Sequence, residues 1–345
     1  MTLRLLIACW LLAASAAVAQ ERLPPVEFEN PPLLYEPILP AAYPGDLSQP
    51  VLDDYIVDDP SANARMFVET PEGFVAPQQY SQITKSKNGF FQKLYLADTY
   101  IPRDGTDGLG FNDVELALSV ALPLPTRRHP VVITPGFTTH FLDGPANTDL
   151  PARLYDAYVA FNWYPRITRN LGAIISITPT VQSDFEHWDE RGFRTPGKAL
   201  LRYTWAEYER EVVLGVIYLD RDDVPWLPAA GVIWTPNPYV CFELLFPRPR
   251  VLFMVNAGAD FEDWVYVAGE FGGGSWAIER VPAETQDVVT FADYRAIVGW
   301  ERKKPGGAGL RVEAGYVFGR SFEYESNSAR FEPDAAWMIR GSMAF

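Results

Sequence analysis

From about residue 90 onward the chain alternates apolar and polar positions in segments of 8–14 residues separated by turn-rich stretches. In 112–122, Val114, Leu116, Leu118, Val120 and Leu122 share one face and Asp113, Glu115, Ala117 and Ser119 the other. In 153–164, Tyr155, Ala157, Val159, Phe161 and Trp163 oppose Asp156, Tyr158 and Asn162. The same holds in 290–301, where Ala292 to Trp300 oppose Asp293, Arg295 and Gly299, and in 309–319, where Leu310 to Phe318 oppose Arg311, Glu313 and Gly315. A period of two places each set on its own face of a sheet. A soluble sandwich also alternates, but its strands average about five or six residues, whereas a tilted membrane strand needs about 9–11. Aromatic residues gather near segment ends, at Trp163-Tyr164, Trp300 and Trp337, where interfacial girdles belong. In hydrocarbon only a closed sheet satisfies every backbone group. The pattern therefore predicts an all-β fold, a transmembrane antiparallel up-and-down β-barrel.

The predicted strands are 90–101, 109–122, 130–141, 152–164, 170–184, 198–207, 210–219, 230–236, 239–246, 250–257, 263–280, 288–301, 309–323 and 334–345. That is about fourteen, an even number as single-chain bacterial barrels require, with twelve as the alternative and sixteen behind it. Most long connections fall at one end and most short ones at the other, again as expected. Two features disturb the count. The turn over 246–250 is short yet falls at the long-loop end, and Gly272-Gly273-Gly274 inside 263–280 reads as a bulge or a turn.

Ahead of the alternation lie two other segments. Arg4, an apolar run over 5–14 and Ala17-Val18-Ala19 form the n-region, h-region and cleavage pattern of a secretory leader, cut between Ala19 and Gln20. The run is too short to span a membrane, which takes roughly 20 residues. Residues 20–88 hold eleven prolines and eleven acidic residues against four basic ones, an extended periplasmic arm, a linker, or a plug that enters the barrel. The expected organisation is a leader over 1–19, the arm over 20–88 and the barrel over 89–345.

Composition narrows the functions. The 345-residue chain carries 29 Lys+Arg against 44 Asp+Glu, a poor surface for nucleic acid, which needs clustered positive charge. Loss of the leader removes Arg4 and Cys9, so Cys241 is the one remaining cysteine and no internal disulfide is possible. An exported chain of this pattern is expected in a bacterial outer membrane, with membrane lipids and lipopolysaccharide as its surroundings and no nucleic-acid partner. Nothing in the sequence marks a protomer interface.

The last segment is the most specific. Trp337, Ile339, Gly341, Met343 and the terminal Phe345 lie on one face, opposite Arg340 and Ser342. It resembles the C-terminal assembly signal of bacterial outer-membrane barrels, which implies the barrel assembly machinery as a partner, with Trp337, Ile339, Met343 and Phe345 as the recognised face. The Pro-rich arm, the repeated strands, the F-P-R-P-R turn at 246–250 and the W-x-P-x-P stretch at 234–238 together resemble a family of uncharacterised Gram-negative outer-membrane β-barrels over roughly 60–345. That resemblance implies fold and location, and no activity.

Candidate chemistry lies in the lumen. By alternation the lumen-lining set includes Asp113, Glu115, Asp156, Asn162, Thr178, Gln182, Arg202, Asp293, Arg295, Arg311, Glu313 and Arg340. Turned to lipid instead, an arginine near the midplane would cost about 2–4 kcal/mol. The set holds five acids and four arginines, so it lacks the single-sign ring of a strongly selective pore. The balance suits either a weakly selective channel or small-solute transporter, or a structural or surface-binding barrel whose lumen is closed by ion pairs. The three histidines, His129, His140 and His187, have no serine at motif spacing, so a lipid hydrolase is the weakest reading and no catalytic residue is assigned. The acidic loop 184–190 and Asp220, Asp222 and Asp223 read as solvated loop charge ahead of a divalent-cation site. No metal site and no cofactor is expected.

Overall fold

The computed structural model describes residues 90–345 apart from 106–107, 127–128, 145–147, 169, 188, 206–209, 259 and 281–284. The expected leader and arm lie outside the described residues. Seventeen strand segments follow in order: β1 (Phe91–Ile101), β2 (Gly110–Thr126), β3 (His129–Asp143), β4 (Arg153–Trp163), β5 (Leu171–Ile177), β6 (Thr180–Ser183), β7 (Phe193–Arg194), β8 (Gly197–Trp205), β9 (Arg210–Tyr218), β10 (Trp226–Asn237), β11 (Val240–Phe246), β12 (Arg250–Ala257), β13 (Glu262–Arg280), β14 (Thr285–Lys303), β15 (Gly309–Tyr324), β16 (Asn327–Phe331) and β17 (Ala336–Ala344).

All belong to one sheet. β5 and β6 continue one strand line, as do β7 with β8 and β16 with β17, so the segments fill fourteen ring positions. Each ring strand pairs antiparallel with the next. The ring closes where β1 meets β17, from Tyr95↔Ala344 to Tyr100↔Ile339. Closure leaves no ladder edge around the waist, which is what a backbone surrounded by apolar solvent demands.

The alternation sets the two faces. On β2, Val114, Leu116 and Leu118 are exposed while Asp113, Glu115, Ala117 and Ser119 are buried. On β14 and β15, Tyr294, Val298, Val312, Tyr316 and Phe318 are exposed outside and Arg295, Ile297, Glu313 and Val317 are buried inside. The outer surface is thus a band of large apolar side chains, the inverse of a soluble sheet.

The wall has uneven height. β13 and β14 are 19 residues each and pair without interruption from Glu262↔Lys303 to Arg280↔Thr285. β11 and β12 are 7 and 8 residues long and share only the register Val240↔Phe253 to Glu243↔Arg250. β12 therefore leaves β13 at Arg250↔Ala268, and the upper half of β13 rises past it. There it leans across to β6. Ala277 bridges Ser183 in parallel, Asp184 N–H donates to the Ala277 carbonyl (3.2 Å) and Glu279 N–H to Asp184 Oδ2 (2.7 Å). The long-loop end of the barrel is pinched into a smaller ring that passes over the tops of β8 to β12.

Two expectations are corrected here. Gly272-Gly273-Gly274 form neither a turn nor a bulge in the β13–β14 ladder, where they pair in register with Asp293, Ala292 and Phe291. They are needed for close approach: Gly273 has φ +114°, and a Cβ on it would lie 1.9 Å from the Phe291 carbonyl oxygen. The lumen is also not uniformly polar. Val213, Ile217, Leu219, Ala229 and Leu245 form one inward apolar cluster with Val132, Ile174 and Leu200. Alternation marks the inner face of β8 at Arg202, but apolar residues share that face and those of β9 to β11, as Leu200 inside and Leu201 outside illustrate.

Candidate functional site: the charged interior

The pinched end is filled first. Leu109, Leu154, Trp276, Ile278, Val289, Phe291, Phe322 and Tyr324 form a buried cluster drawn from β4, β13, β14 and β15 and the connection leading into β2. Rings meet across the lumen, Phe111 on β2 lying 5.3 Å from Phe291 on β14. At about 1.5–3 kcal/mol per fully buried large apolar side chain, separating these eight would cost on the order of 12–24 kcal/mol.

Beside this core lies a polar cluster. His140 Nδ1 is 2.8 Å from Asp113 Oδ1 and its Nε2 is 3.2 Å from Asp156 Oδ2. Ionised carboxylates only accept, so both ring nitrogens carry protons when both aspartates are charged. Trp276 Nε1 donates to Asp156 Oδ1 at 2.6 Å, and Gln182 Nε2 to the same oxygen at 3.4 Å. Between this cluster and Arg295 is a cavity of about 40 Å³, lined by Asp113, Thr138, His140, Asp156, Asp293 and Arg295 together with Phe111, Trp276 and Phe291. It has room for two or three waters, roughly.

From that cavity a file of ion pairs descends the wall of β13 to β17. Arg295 Nε donates to Asp293 Oδ1 (2.7 Å) and Nη1 to Glu270 Oε1 (3.2 Å). Arg340 holds Glu270 through Nη2 (3.0 Å) and Glu313 through Nη1 (2.9 Å). Arg248, from the turn between β11 and β12, places Nη2 3.4 Å from both Glu270 and Glu313. Tyr266 Oη donates to Glu313 Oε1 at 2.6 Å. Lower still, Glu301 faces Lys303 (3.0 Å), Arg311 (3.2 Å) and Arg250 (3.9 Å), and Arg250 donates to Glu243 (2.6 Å). The Glu270 and Glu313 side chains are fully buried, so each charge depends on its arginines to offset desolvation.

Glycine placement makes the tyrosine bonds possible. Tyr266 faces Gly299 across the β13–β14 ladder, and Gly299 faces Glu313 on β15. A Cβ on Gly299 would lie 2.2 Å from Tyr266 Cζ, so the phenol crosses the middle strand only because that position has no side chain. Tyr158 on β4 crosses Gly136 on β3 in the same way and donates to Glu115 on β2 (3.0 Å).

The expected lumen residues are distributed as follows. Asp113, Asp156 and Gln182 belong to the His140 cluster and Glu115 accepts from Tyr158, while Asp293, Arg295, Glu313 and Arg340 belong to the descending file and Arg311 to its foot. Arg202 is apart from both, in a two-pronged pair with Glu211 (2.6 and 2.7 Å). Asn162 and Thr178 are buried on the interior side without joining either group. On β17, Trp337 and Ile339 are exposed on the outer surface, as is the terminal Phe345; Met343 is half-buried. The aspartates at the long-loop end are taken by arginines and neighbours. Asp222 receives both Nη of Arg194, Asp223 receives Arg221, and Asp220 accepts from Tyr218 Oη and Thr195 N–H. His187 pairs with Glu279. Among the described residues no group of three or more His, Cys, Asp or Glu side chains is arranged to hold a metal ion.

Arg248, Glu270, Tyr266 and Trp276 were not reached by the sequence reading. Glu270, Tyr266 and Trp276 share the parity of Glu262 and Trp264 along β13, a signal hidden by the glycine run. Arg248 lies in a turn, where no periodicity exists to read.

No family model matches the chain, and no curated protein does. Among solved structures, the barrel is similar to the COG4313 outer membrane channel from Pseudomonas putida F1, with 11% identity over 79% of this chain and 100% of that one, at a TM-score of 0.36. It is also similar to the transport unit of the autotransporter AIDA-I from Escherichia coli, with 7% identity over 75% and 89%, at 0.26. The fold assignment rests on the hydrogen-bonded ring itself.

Proposed function

We propose that the protein is an outer-membrane channel or small-solute transporter, closed in the conformation described. The observation that carries this reading is the connected file of charged groups from the His140 cavity down to Glu301. Filling a barrel needs no charge, since well-packed apolar residues serve as well as or better than buried ion pairs. A polar file beside an aromatic core supplies instead a wall along which water and small solutes pass once side chains shift. The apolar outer band supports a place in a membrane, and the leader over 1–19 and the outward face of β17 complete the account as export and assembly signals. Planar-bilayer recordings of the purified full-length chain test it. Small unitary currents are expected, rising when Trp276→Ala loosens the pinched end; absence of current from both proteins contradicts the reading.

A second reading, a structural or surface-binding barrel with a filled lumen, is favoured by the eight-residue core at the pinched end. Under that reading neither protein conducts, while both still show the heat-modifiable gel mobility of a folded barrel.

A further inference from the structure

Arg248 differs from the other members of the file in how it is held. Glu270, Arg295, Glu313 and Arg340 project from ladders paired on at least one side throughout. Arg248 projects from the short turn between β11 and β12, yet it is buried. That turn lies where the low wall ends: Arg250 is the last residue of β12 to pair with β13, opposite Ala268, and Gly269 N–H donates to the Pro249 carbonyl (3.0 Å). The turn thus sits at the junction between the wide lower ring and the pinched upper one. Pro247 and Pro249 flank the arginine and restrict its backbone. Its guanidinium reaches two carboxylates on β13 and β15.

Among the described residues, Arg248, Arg295 and Arg340 stand within ion-pair distance of Glu270, Glu313 and Asp293, with Arg311 and Arg320 near enough to act on Glu313 and Asp293 as well. Every positive member except Arg248 is fixed to a strand of the wall. Withdrawing or neutralising Arg248 removes one positive charge from the level and leaves Glu270 and Glu313 less offset, at the place where the lumen changes width. A ring with an excess of one sign favours the opposite ion, by focusing its field across a narrow, low-dielectric passage.

We propose that Arg248 sets both the charge selectivity and the width of this passage, as a side chain folded in from a turn; the inference rests on the channel reading above. With Arg248 in place the passage is narrow and its carboxylates are offset. Without it the passage is wider and shifts toward cations.

The test compares the full-length protein with Arg248→Gln and Arg248→Lys in planar bilayers under a steep KCl gradient, after heat-modifiable mobility has shown each to be folded. Arg330→Gln, at an exposed side chain on β16, serves as the control. Arg248→Gln is expected to raise unitary conductance roughly two-fold or more and to move the reversal potential toward that of potassium. Arg248→Lys, which keeps the charge and loses the fork, is expected to raise conductance while leaving the reversal potential near that of the parent. If Arg248→Gln conducts with an unchanged reversal potential and conductance, the inference is overturned and the channel reading stands. If Arg248→Gln fails to fold, an unchanged conductance in Arg248→Lys overturns it equally. Silence from the parent and all variants removes the channel reading itself, and the inference with it.

Discussion

Trp276 on β13 donates its indole N–H to Asp156 on β4 at 2.6 Å, joining two strands whose ring positions are separated by the whole low wall of β8 to β12. The bond exists because β13 outgrows β12 and leans onto β6. The same indole stands edge-on to His140, ring centroids 5.2 Å apart, and to Phe291 at 5.7 Å. One residue thus ties the aromatic core to the polar cluster beside it.

Replacing that indole separates its two roles. Trp276→Phe keeps most of the ring and loses the donor, and is expected to cost about 1.5–3 kcal/mol, the range for a hydrogen bond to a charged group. Trp276→Ala also opens a cavity and is expected to cost about 3–5 kcal/mol. Urea titration of the barrel folded in lipid vesicles measures both; equal losses would mean that the bond to Asp156 carries nearly all of the effect and packing little.

The Tyr266–Gly299–Glu313 row predicts a matched pair. Tyr266→Phe removes only the hydroxyl and leaves Glu313 with its arginines, for an expected loss of about 1.5–3 kcal/mol. Gly299→Ala adds a methyl where the phenol ring lies, at an expected overpacking cost of about 1–3 kcal/mol. Because displacing the ring also breaks its bond, the double variant should cost less than the two single losses added together. Strict additivity in the same titration would show that the glycine does not position the tyrosine.

Asp189 and Arg191 supply a pH-dependent element in the connection between β6 and β7, at the long-loop end. Asp189 accepts from the Arg191 amide (2.9 Å) and from its guanidinium (2.6–3.1 Å), and Arg191 reaches on to Glu325 (2.7 Å). These bonds, the Arg191 side chain first, hold the Asp189 carboxyl below its ordinary value of 3.8. A lowered native value means that the stabilisation is complete above the unfolded value and fades as pH falls through the native one. Amide exchange at Arg191, corrected for its intrinsic pH dependence, should therefore stay slow at neutral pH and accelerate below about pH 4. In Asp189→Asn the same amide should show no such acid transition; an identical transition in both would assign it to another group.

The ring was legible in the sequence because alternation is a local signal. The even-numbered apolar positions of β2, β14 and β15 each announce an outer face, and the turn-rich stretches between segments give a count of about fourteen without any pairing being known. The pinch was not legible. It depends on Ala277 meeting Ser183, 94 positions earlier in the chain, and on β11 and β12 being short, and neither leaves a periodic trace. The interior was half-legible for a related reason. Asp113, Glu313 and Arg340 interrupt apolar strands and so declare which way they point, whereas Leu200 and Leu245 are apolar like their outward neighbours Leu201 and Leu244 and declare nothing. Arg248 belongs to a turn, and the reach of a turn side chain is set by the wall around it.

The central claim is that hydrocarbon surrounds the outer face, and Val298 tests it most directly. This side chain is 61% exposed on the outer face of β14, between Trp300 and Tyr294, and touches none of the interior groups described above. Equilibrium folding of Val298→Arg into lipid vesicles is expected to lose about 1–4 kcal/mol relative to the parent, the range for an arginine between the interface and the bilayer midplane. A loss within about 0.5 kcal/mol, as for an ordinary surface substitution in water, would contradict the account.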